Sequence, residues 1–335
     1  MARIAVLGCG RIGRMHAANI EAHPRSSLAG VFDVHAPSTK EVAERLKTRN
    51  FASAEDIFAS NEVDAILIAT STSTHVDYIQ DGVAAGKAVL CEKPIDLSLE
   101  RVNACAQKIA GTSVPVMIGF CRRFDPDHRA ARQTVLDGEI GELHQVIITS
   151  RDPGLAPDAY IRSSGGIFRD MTIHDLDLAR FMLGEEVVAV TAHGSRLVNP
   201  TLMAECGDYD TAVVTLVTES GKQAVITNSR QAAYGYDQRI ELFGSKGMAI
   251  SENHHETRVS KHLSHGTDIA APLENFFIER YRAAFAAEID NFVDTIEGKA
   301  KPEADFEDGR KALILADACF KSVAEARTVE ISEFT

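Results

Sequence analysis

No apolar run in this chain of 335 residues approaches the roughly 18–20 residues that cross a bilayer as a helix. The first apolar strand starts at Ile4, which leaves no room for a secretion signal. Cysteines are few and scattered. Cys9, Cys91, Cys105, Cys121, Cys206 and Cys319 form no C-x-x-C pair, so neither a zinc site nor a disulfide framework is signalled. They read as small core residues, and the expected setting is cytoplasmic, with reduced thiols. A basic excess is missing too. The chain has 35 Lys and Arg against 48 Asp and Glu, a net charge of −13, which speaks against nucleic acid and anionic membranes as partners. No internal repeat or low-complexity linker is present. What remains is the balance of a globular protein, with 45% hydrophobic and 25% charged residues and length enough for two domains.

The amino-terminal part alternates strand and helix signals. Ile4-Ala5-Val6-Leu7 reads as a buried strand, followed by Gly8-Cys9-Gly10-Arg11-Ile12-Gly13 and a helical stretch. A G-x-G-x-x-G between strand and helix is the setting a dinucleotide fingerprint requires: the glycines let a pyrophosphate approach the backbone, and the helix supplies N–H groups. A second strand, Leu28 to Phe32, ends at Asp33, 20 residues beyond Gly13, where a ribose-binding acid is expected. Asp33 also suits a turn or a helix cap. A carboxylate there repels a 2′-phosphate, and of its neighbours only His35 offers a cation, so NAD is favoured over NADP. The rhythm continues through strands at Ala65–Ala69, Ala88–Leu90 and Val114–Phe120, and implies a doubly wound parallel sheet. The turns starting at Gly8, Asp33, Thr70 and Glu92 are then expected along one edge, where such sheets bind ligands. Glu92-Lys93-Pro94 is poorly explained by packing. Pro94 fixes its own φ and pushes Lys93 towards an extended backbone, a stiff mount for a long cation.

After Phe120 the pattern changes. A helix over Phe124–Leu136 precedes β-like runs at Leu143–Thr149, Val187–Leu197, Thr211–Thr218, Gln223–Ser229, Gln238–Phe243 and Gly247–Ile250. They predict a largely antiparallel sheet with helices on one face, an α+β domain. Two long helices are expected at about 273–296 and 307–326, and a polar, patternless surface loop at 252–272. The division expected is a nucleotide domain over 1–121 and a substrate and oligomerisation domain over 122–335.

The stretch Gly165 to Asp177 carries a second constellation. On a regular helix, Asp170, His174 and Asp177 fall at i, i+4 and i+7 and share one face. A histidine flanked by carboxylates is a candidate acid–base group. Each residue also has a plain alternative: a helix cap, a core histidine, a solvated acid. A metal site is not favoured, since a third ligand is not signalled, and His254-His255 fall in the polar loop.

These motifs resemble the family of glucose–fructose oxidoreductase, inositol dehydrogenase and related sugar dehydrogenases. The likeness covers nearly the whole chain. It rests on the glycine motif, Ala69-Thr70 with His75, Glu92-Lys93-Pro94, and Asp170 with His174. Within the family, Arg122 to Asp125, Ser150 to Pro153 and Tyr234 to Asp237 look most like the bacterial inositol 2-dehydrogenases. Many relatives carry a proline where this chain has Ser71. The resemblance implies a Rossmann domain, a second domain with an open sheet, often a tetramer, and a Lys93/Asp170/His174 catalytic group. Cofactor contacts are expected from Gly8, Gly10, Arg11, Ile12 and Asp33, and from Thr70, Ser73, His75, Glu92 and Lys93. Substrate contacts are expected from Arg122, Asp152, Asp177 and Tyr236 beside the catalytic group. The expected reaction is NAD-dependent oxidation of a cyclic polyol, myo-inositol first, with scyllo-inositol or an aldose such as glucose as alternatives. A non-catalytic dinucleotide-binding sensor is the alternative of another kind.

Overall fold

The first five strands are short and apolar: β1 (Ala2–Leu7), β2 (Ser26–Phe32), β3 (Ala65–Ile68), β4 (Ala88–Glu92) and β5 (Val116–Gly119). In the computed structural model, which describes residues 1–334, they form one parallel sheet in the order β2-β1-β3-β4-β5. Helices Arg11–Ala22, Ala36–Leu46, His75–Ala84 and Leu99–Ile109 make the connections. Burial on both faces explains the near-continuous apolar runs: every residue of β3 is buried. The register pairs Leu7 with Phe32 and Ile68, and Ile68 with Cys91. The turns after β1, β2, β3 and β4 therefore lie along one edge, as expected.

This sheet belongs to a compact unit made of Met1–Phe124 and Ala284–Lys311. The division read from the sequence put everything after residue 121 in the second domain; the chain instead returns. Arg25 pairs with Asp294 and Glu297 at 2.6 and 2.8 Å. The Ala304 carbonyl accepts from the Ile118 N–H at 2.9 Å. At Gly309 a Cβ would stand 2.6 Å from Ile95, so the returning segment is fitted closely to the sheet. Such a return has no local sequence signal, because its partners are far away along the chain.

The other unit comprises Asp125–Ala283 and the segment from Ala312 onward. Its sheet contains β6 (Leu143–Arg151), β7 (Val187–Ser195), β8 (Thr211–Thr218), β9 (Gln223–Ser229), β10 (Asp237–Gly244), β11 (Gly247–Ser251) and, later, β14 (Val329–Glu330). The order is β11-β10-β6-β9-β8-β7-β14, antiparallel throughout except for the β6–β9 pair. One face packs Val146, Ile148, Val214, Leu216, Ile226 and Leu242 against Leu176, Ala316 and Cys319 of the covering helices. The opposite face is uncovered within this unit and mixed, with Gln145, Gln223, Thr215 and Glu241 set among exposed apolar residues. The register lines up Val213 and Val217 of β8, Ile147 of β6, Phe243 of β10, and Met248 and Ile250 of β11, each at least 36% exposed.

Two expectations need correction. Residues 252–272 are not patternless: β12 (Ser260–Leu263) and β13 (Gly266–Ala270) form a separate hairpin. Its strands are exposed on both sides, so no apolar alternation marks them. The long helix expected from 273 to 296 is two, Phe277–Arg280 and Arg282–Ile296, broken at the buried Tyr281.

Candidate functional site

In the amino-terminal unit the site begins with the glycine turn. A Cβ on Gly8, where φ is +101°, would stand 2.3 Å from the Ala69 carbonyl oxygen. A Cβ on Gly13 would fall 1.8 Å from the Gly8 oxygen. Both glycines are demanded by packing of the turn itself. Gly10 differs: a Cβ there would meet nothing within 4 Å. It caps the helix Arg11–Ala22 with no side-chain cap hydrogen bond, so the first-turn N–H groups, including those of Arg11 and Ile12, are presented to a ligand. This cradle fits the pyrophosphate of a dinucleotide.

Asp33 follows β2 and is tied into the same turn. Its Oδ2 accepts the Cys9 N–H at 2.6 Å, and its Oδ1 the His35 N–H at 2.8 Å. Burial, with the Asp33 charge second, pushes the Cys9 thiol up to about 11, so Cys9 is no nucleophile here. Thr70 and Thr74 share a hydroxyl hydrogen bond of 2.7 Å, and Ser73 lies in the 3₁₀ turn Thr72–Thr74 between them.

His75 is buried, with Nδ1 2.8 Å from the Pro94 oxygen and Nε2 3.2 Å from the Thr70 oxygen. Both facing atoms are acceptors. Burial drives the imidazole pKa down despite them, so the single proton of the neutral ring belongs on Nδ1, at the shorter contact. His75 thereby braces the turn at Thr70 against the turn at Glu92-Lys93-Pro94. Glu92 ends β4, and its Oε1 lies 2.8 Å from Nε2 of the buried His16. Lys93 is half-buried, and its bond to Pro94 is cis. Of the two adjacent arginines, both at least nine-tenths buried, Arg123 is spent on Asp308 and the Glu303 carbonyl. Arg122, the candidate substrate ligand, is 6% exposed.

In the second unit, Gly165 and Gly166 take positive φ of 83° and 86°. They lead into a π-helical turn, Phe168–Thr172, and then the helix Ile173–Leu183. The regular i, i+4, i+7 face expected for Asp170, His174 and Asp177 is therefore corrected: Asp170 sits in the wider turn, where the angle per residue is smaller. Such turns recur at functional sites. Asp170 and His174 are half-buried, whereas Thr172, Ile173, Asp175 and Asp177 are buried. Asp177 is 1% exposed, 3.8 Å from Arg180.

The residues around His174 are held by a polar network that sequence reasoning did not identify. Asp175 accepts from Ser150 Oγ at 3.0 Å and Asn228 Nδ2 at 2.8 Å, and Asn228 Oδ1 accepts from Thr172 at 2.7 Å. Asp170 accepts from the Tyr160 hydroxyl at 2.7 Å and from Arg230 Nη1 at 2.9 Å. The charge of Asp152 acts on both Tyr160 and Arg230, which draws this expected site residue into the same group. Tyr236 is 5% exposed, edge-on to Phe276 at 5.2 Å. Arg230 directly follows β9, and a cation placed just beyond a strand end was the one signal available for it. Among the described residues no group of three His, Cys, Asp or Glu is placed to hold a metal ion, and no helix is long and apolar enough to cross a membrane.

Comparison with known proteins agrees with both halves. Residues 2–120 match the GFO/IDH/MocA oxidoreductase family, NAD-binding Rossmann fold, and residues 128–250 match the GFO/IDH/MocA C-terminal domain. The chain is 46% identical over 331 residues to an inositol 2-dehydrogenase of Rhizobium meliloti, covering 98% of this chain and 99% of that one. It resembles the crystal structure of a myo-inositol dehydrogenase from Corynebacterium glutamicum with a TM-score of 0.95 and 47% identity, over 98% of each chain. A scyllo-inositol dehydrogenase from Lactobacillus casei, with bound NAD(H) and scyllo-inositol, superposes with a TM-score of 0.90 at 29% identity, over 99% of each chain. With a dinucleotide cradle in one unit, an open mixed sheet in the other and similarity along the whole length, the chain belongs to the GFO/IDH/MocA family of NAD-binding oxidoreductases.

Proposed function

We propose that this enzyme oxidises one ring hydroxyl of a cyclic polyol, converting myo-inositol to 2-keto-myo-inositol. Its full-length similarity to inositol 2-dehydrogenases carries the reading. Gly8, Gly10, Arg11 and Ile12 hold the pyrophosphate and Asp33 the ribose, with Thr70, Ser73, His75 and Glu92 along the rest of the edge. The bound NAD supplies the hydride acceptor. His174 takes the hydroxyl proton as general base. Lys93 donates a hydrogen bond to the reacting oxygen and stabilises negative charge gathering there. Asp170 orients Lys93 or His174, and Arg122, Asp152, Asp177 and Tyr236 pair the remaining hydroxyls. A site built to pair many hydroxyls discriminates strongly against analogues that lack one.

A panel of inositols and pyranoses, assayed with NAD and NADP side by side, tests this through NADH absorbance. Turnover fastest with myo-inositol and NAD is the expected result. Preference for scyllo-inositol or glucose would reassign the substrate, and no turnover with any of them would leave a dinucleotide-binding sensor. Replacing His174 with Ala is expected to lower kcat by roughly 10²- to 10⁴-fold; a near-normal kcat moves the base elsewhere.

The enzyme works as a cytoplasmic homo-oligomer, a tetramer by family resemblance. The exposed Val213, Val217, Ile147, Phe243, Met248 and Ile250 on the open sheet face support assembly, since a partner that covered this face would bury them. Six unpaired cysteines suit a reducing compartment. A monomer mass by light scattering at micromolar concentration would overturn the first statement, and recovery from an oxidising compartment the second.

A further inference from the structure

We infer that Arg230 and Tyr160 are positioning residues that hold Asp170 as a fixed hydrogen-bond acceptor, so that Asp170 orients its catalytic neighbours. This rests on the reading of Asp170 and His174 as members of the active site.

Arg230 lies just past β9, its side chain 2% exposed, between two carboxylates. Nη1 donates to Asp170 Oδ2 at 2.9 Å, and Nη2 stands 3.6 Å from Asp208 Oδ2. Nε and Nη2 have no hydrogen bond. A guanidinium this buried is costly unless neighbouring charge compensates it. Burial alone would lower its pKa, yet the Asp170 charge and hydrogen bond, then Asp208 and Asp152, leave it raised. Arg230 therefore depends on the carboxylates at least as much as they depend on it. Asp208 is in turn fixed, because its Oδ1 accepts the Ile167 N–H at 2.8 Å. Gly166 makes room for it: a Cβ there would stand 2.8 Å from that oxygen and 2.7 Å from Phe320.

Tyr160, on the helix Asp158–Ser163, holds the other oxygen of Asp170. Burial first, then the charge of Asp170, pushes the phenol pKa up, so Tyr160 stays a donor. Each oxygen of Asp170 thus receives a proton that its owner does not release near neutrality. Tyr160 and Arg230 meet Asp170 directly, and Asp208 and the charge of Asp152 act on Arg230.

Three variants in the full-length protein test this: Arg230→Lys, Arg230→Gln and Tyr160→Phe. Activity on the preferred polyol is expected to fall in kcat more than in KM, with the Kd for NADH unchanged. Arg230→Gln should lose about 10²-fold, the scale of a misplaced catalytic group. Arg230→Lys should recover part of that by restoring charge. Tyr160→Phe should lose about tenfold, the lower end of the scale of one hydrogen bond to a charged group. Crystal structures of the variants supply a second readout that needs no activity: the Asp170 carboxylate should leave its wild-type rotamer. Equal losses in Lys and Gln, an effect confined to KM, or an unmoved Asp170 would overturn the inference. Tyr160→Phe decides by itself if Arg230→Gln does not fold. A wild-type enzyme inactive on every polyol would refute the functional reading, while the Asp170 rotamer would still judge the clamp.

Discussion

Two buried carboxyls, Asp125 of the second unit and Glu288 of the amino-terminal unit, are housed in opposite ways. In the second unit Asp175 and Asp208 are also buried, and each accepts a hydrogen bond. Asp125 is 1% exposed, yet Arg280 reaches it at 2.6 Å and the N–H groups of Asp127 and His128 at 3.1 and 3.0 Å. Burial works to raise its pKa, but the charges of His128 and Arg280 and these hydrogen bonds leave it lowered. Asp237, fully buried, is likewise held low by Arg239, Tyr234 and Asn253. In the amino-terminal unit Glu288 is also fully buried, but neither of its oxygens has a hydrogen-bond partner. Burial, and then the charge of Glu92, pushes it well above the usual carboxylate range. Burial by itself therefore does not decide charge; the donors that fold into place beside a carboxyl do. Paired acids serve as anchors for loops and helix starts, whereas burial and the charge of Glu92 push Glu288 towards its neutral form.

The largest expected effect comes from breaking a paired acid. Asp125→Ala removes the cap of helix Pro126–Leu136 and leaves Arg280 as an uncompensated buried cation, already without a hydrogen bond at Nε and Nη2. Removing one partner of a buried ion pair costs about 3–5 kcal/mol. Urea denaturation should show a loss of that size. A loss under about 1 kcal/mol, the scale of an exposed pair, would mean that Asp125 and Arg280 are not desolvated together.

The sequence exposed some of this and hid the rest for physical reasons. The parallel strands and the turns after them were legible because apolar runs and glycine spacing are local. The alternation of Thr211–Thr218 announced its strand, since one face of it is buried. Lys93, Gly8, Gly10 and Asp33 could be placed because each follows a strand end. The clamp on Asp170 was not legible: Arg230 is 60 residues away, and nothing in its neighbourhood names its partner. The π-helical turn at Phe168–Thr172 has no compositional mark either. Glu288 reads as one more acid in an amphipathic helix, and only the return of Ala284–Lys311 to the first sheet encloses it.

Glu288 offers the smaller and more specific effect. Glu288→Gln keeps the shape of the neutral acid and removes its ability to ionise. A group whose folded pKa lies above its unfolded value binds more protons in the folded state. Its favourable contribution is present below the unfolded pKa and is lost as pH rises towards the folded pKa. Wild type and Glu288→Gln should therefore be similar in stability below about pH 4.5, near the unfolded value for Glu. Above it the variant should gain on wild type by at most about 1.4 kcal/mol per pH unit. The paired acids have the opposite sign: their contribution is present above the unfolded pKa and is lost as pH falls through the lowered folded value, so Asp125→Asn should close on wild type in acid. Denaturation midpoints read the two slopes in different windows: Glu288→Gln between about pH 4 and 8, and Asp125→Asn between about pH 2 and 5. Parallel curves for Glu288→Gln and wild type would mean that Glu288 is ionised in the folded protein, with a donor beside it, and its contrast with Asp125 would fail.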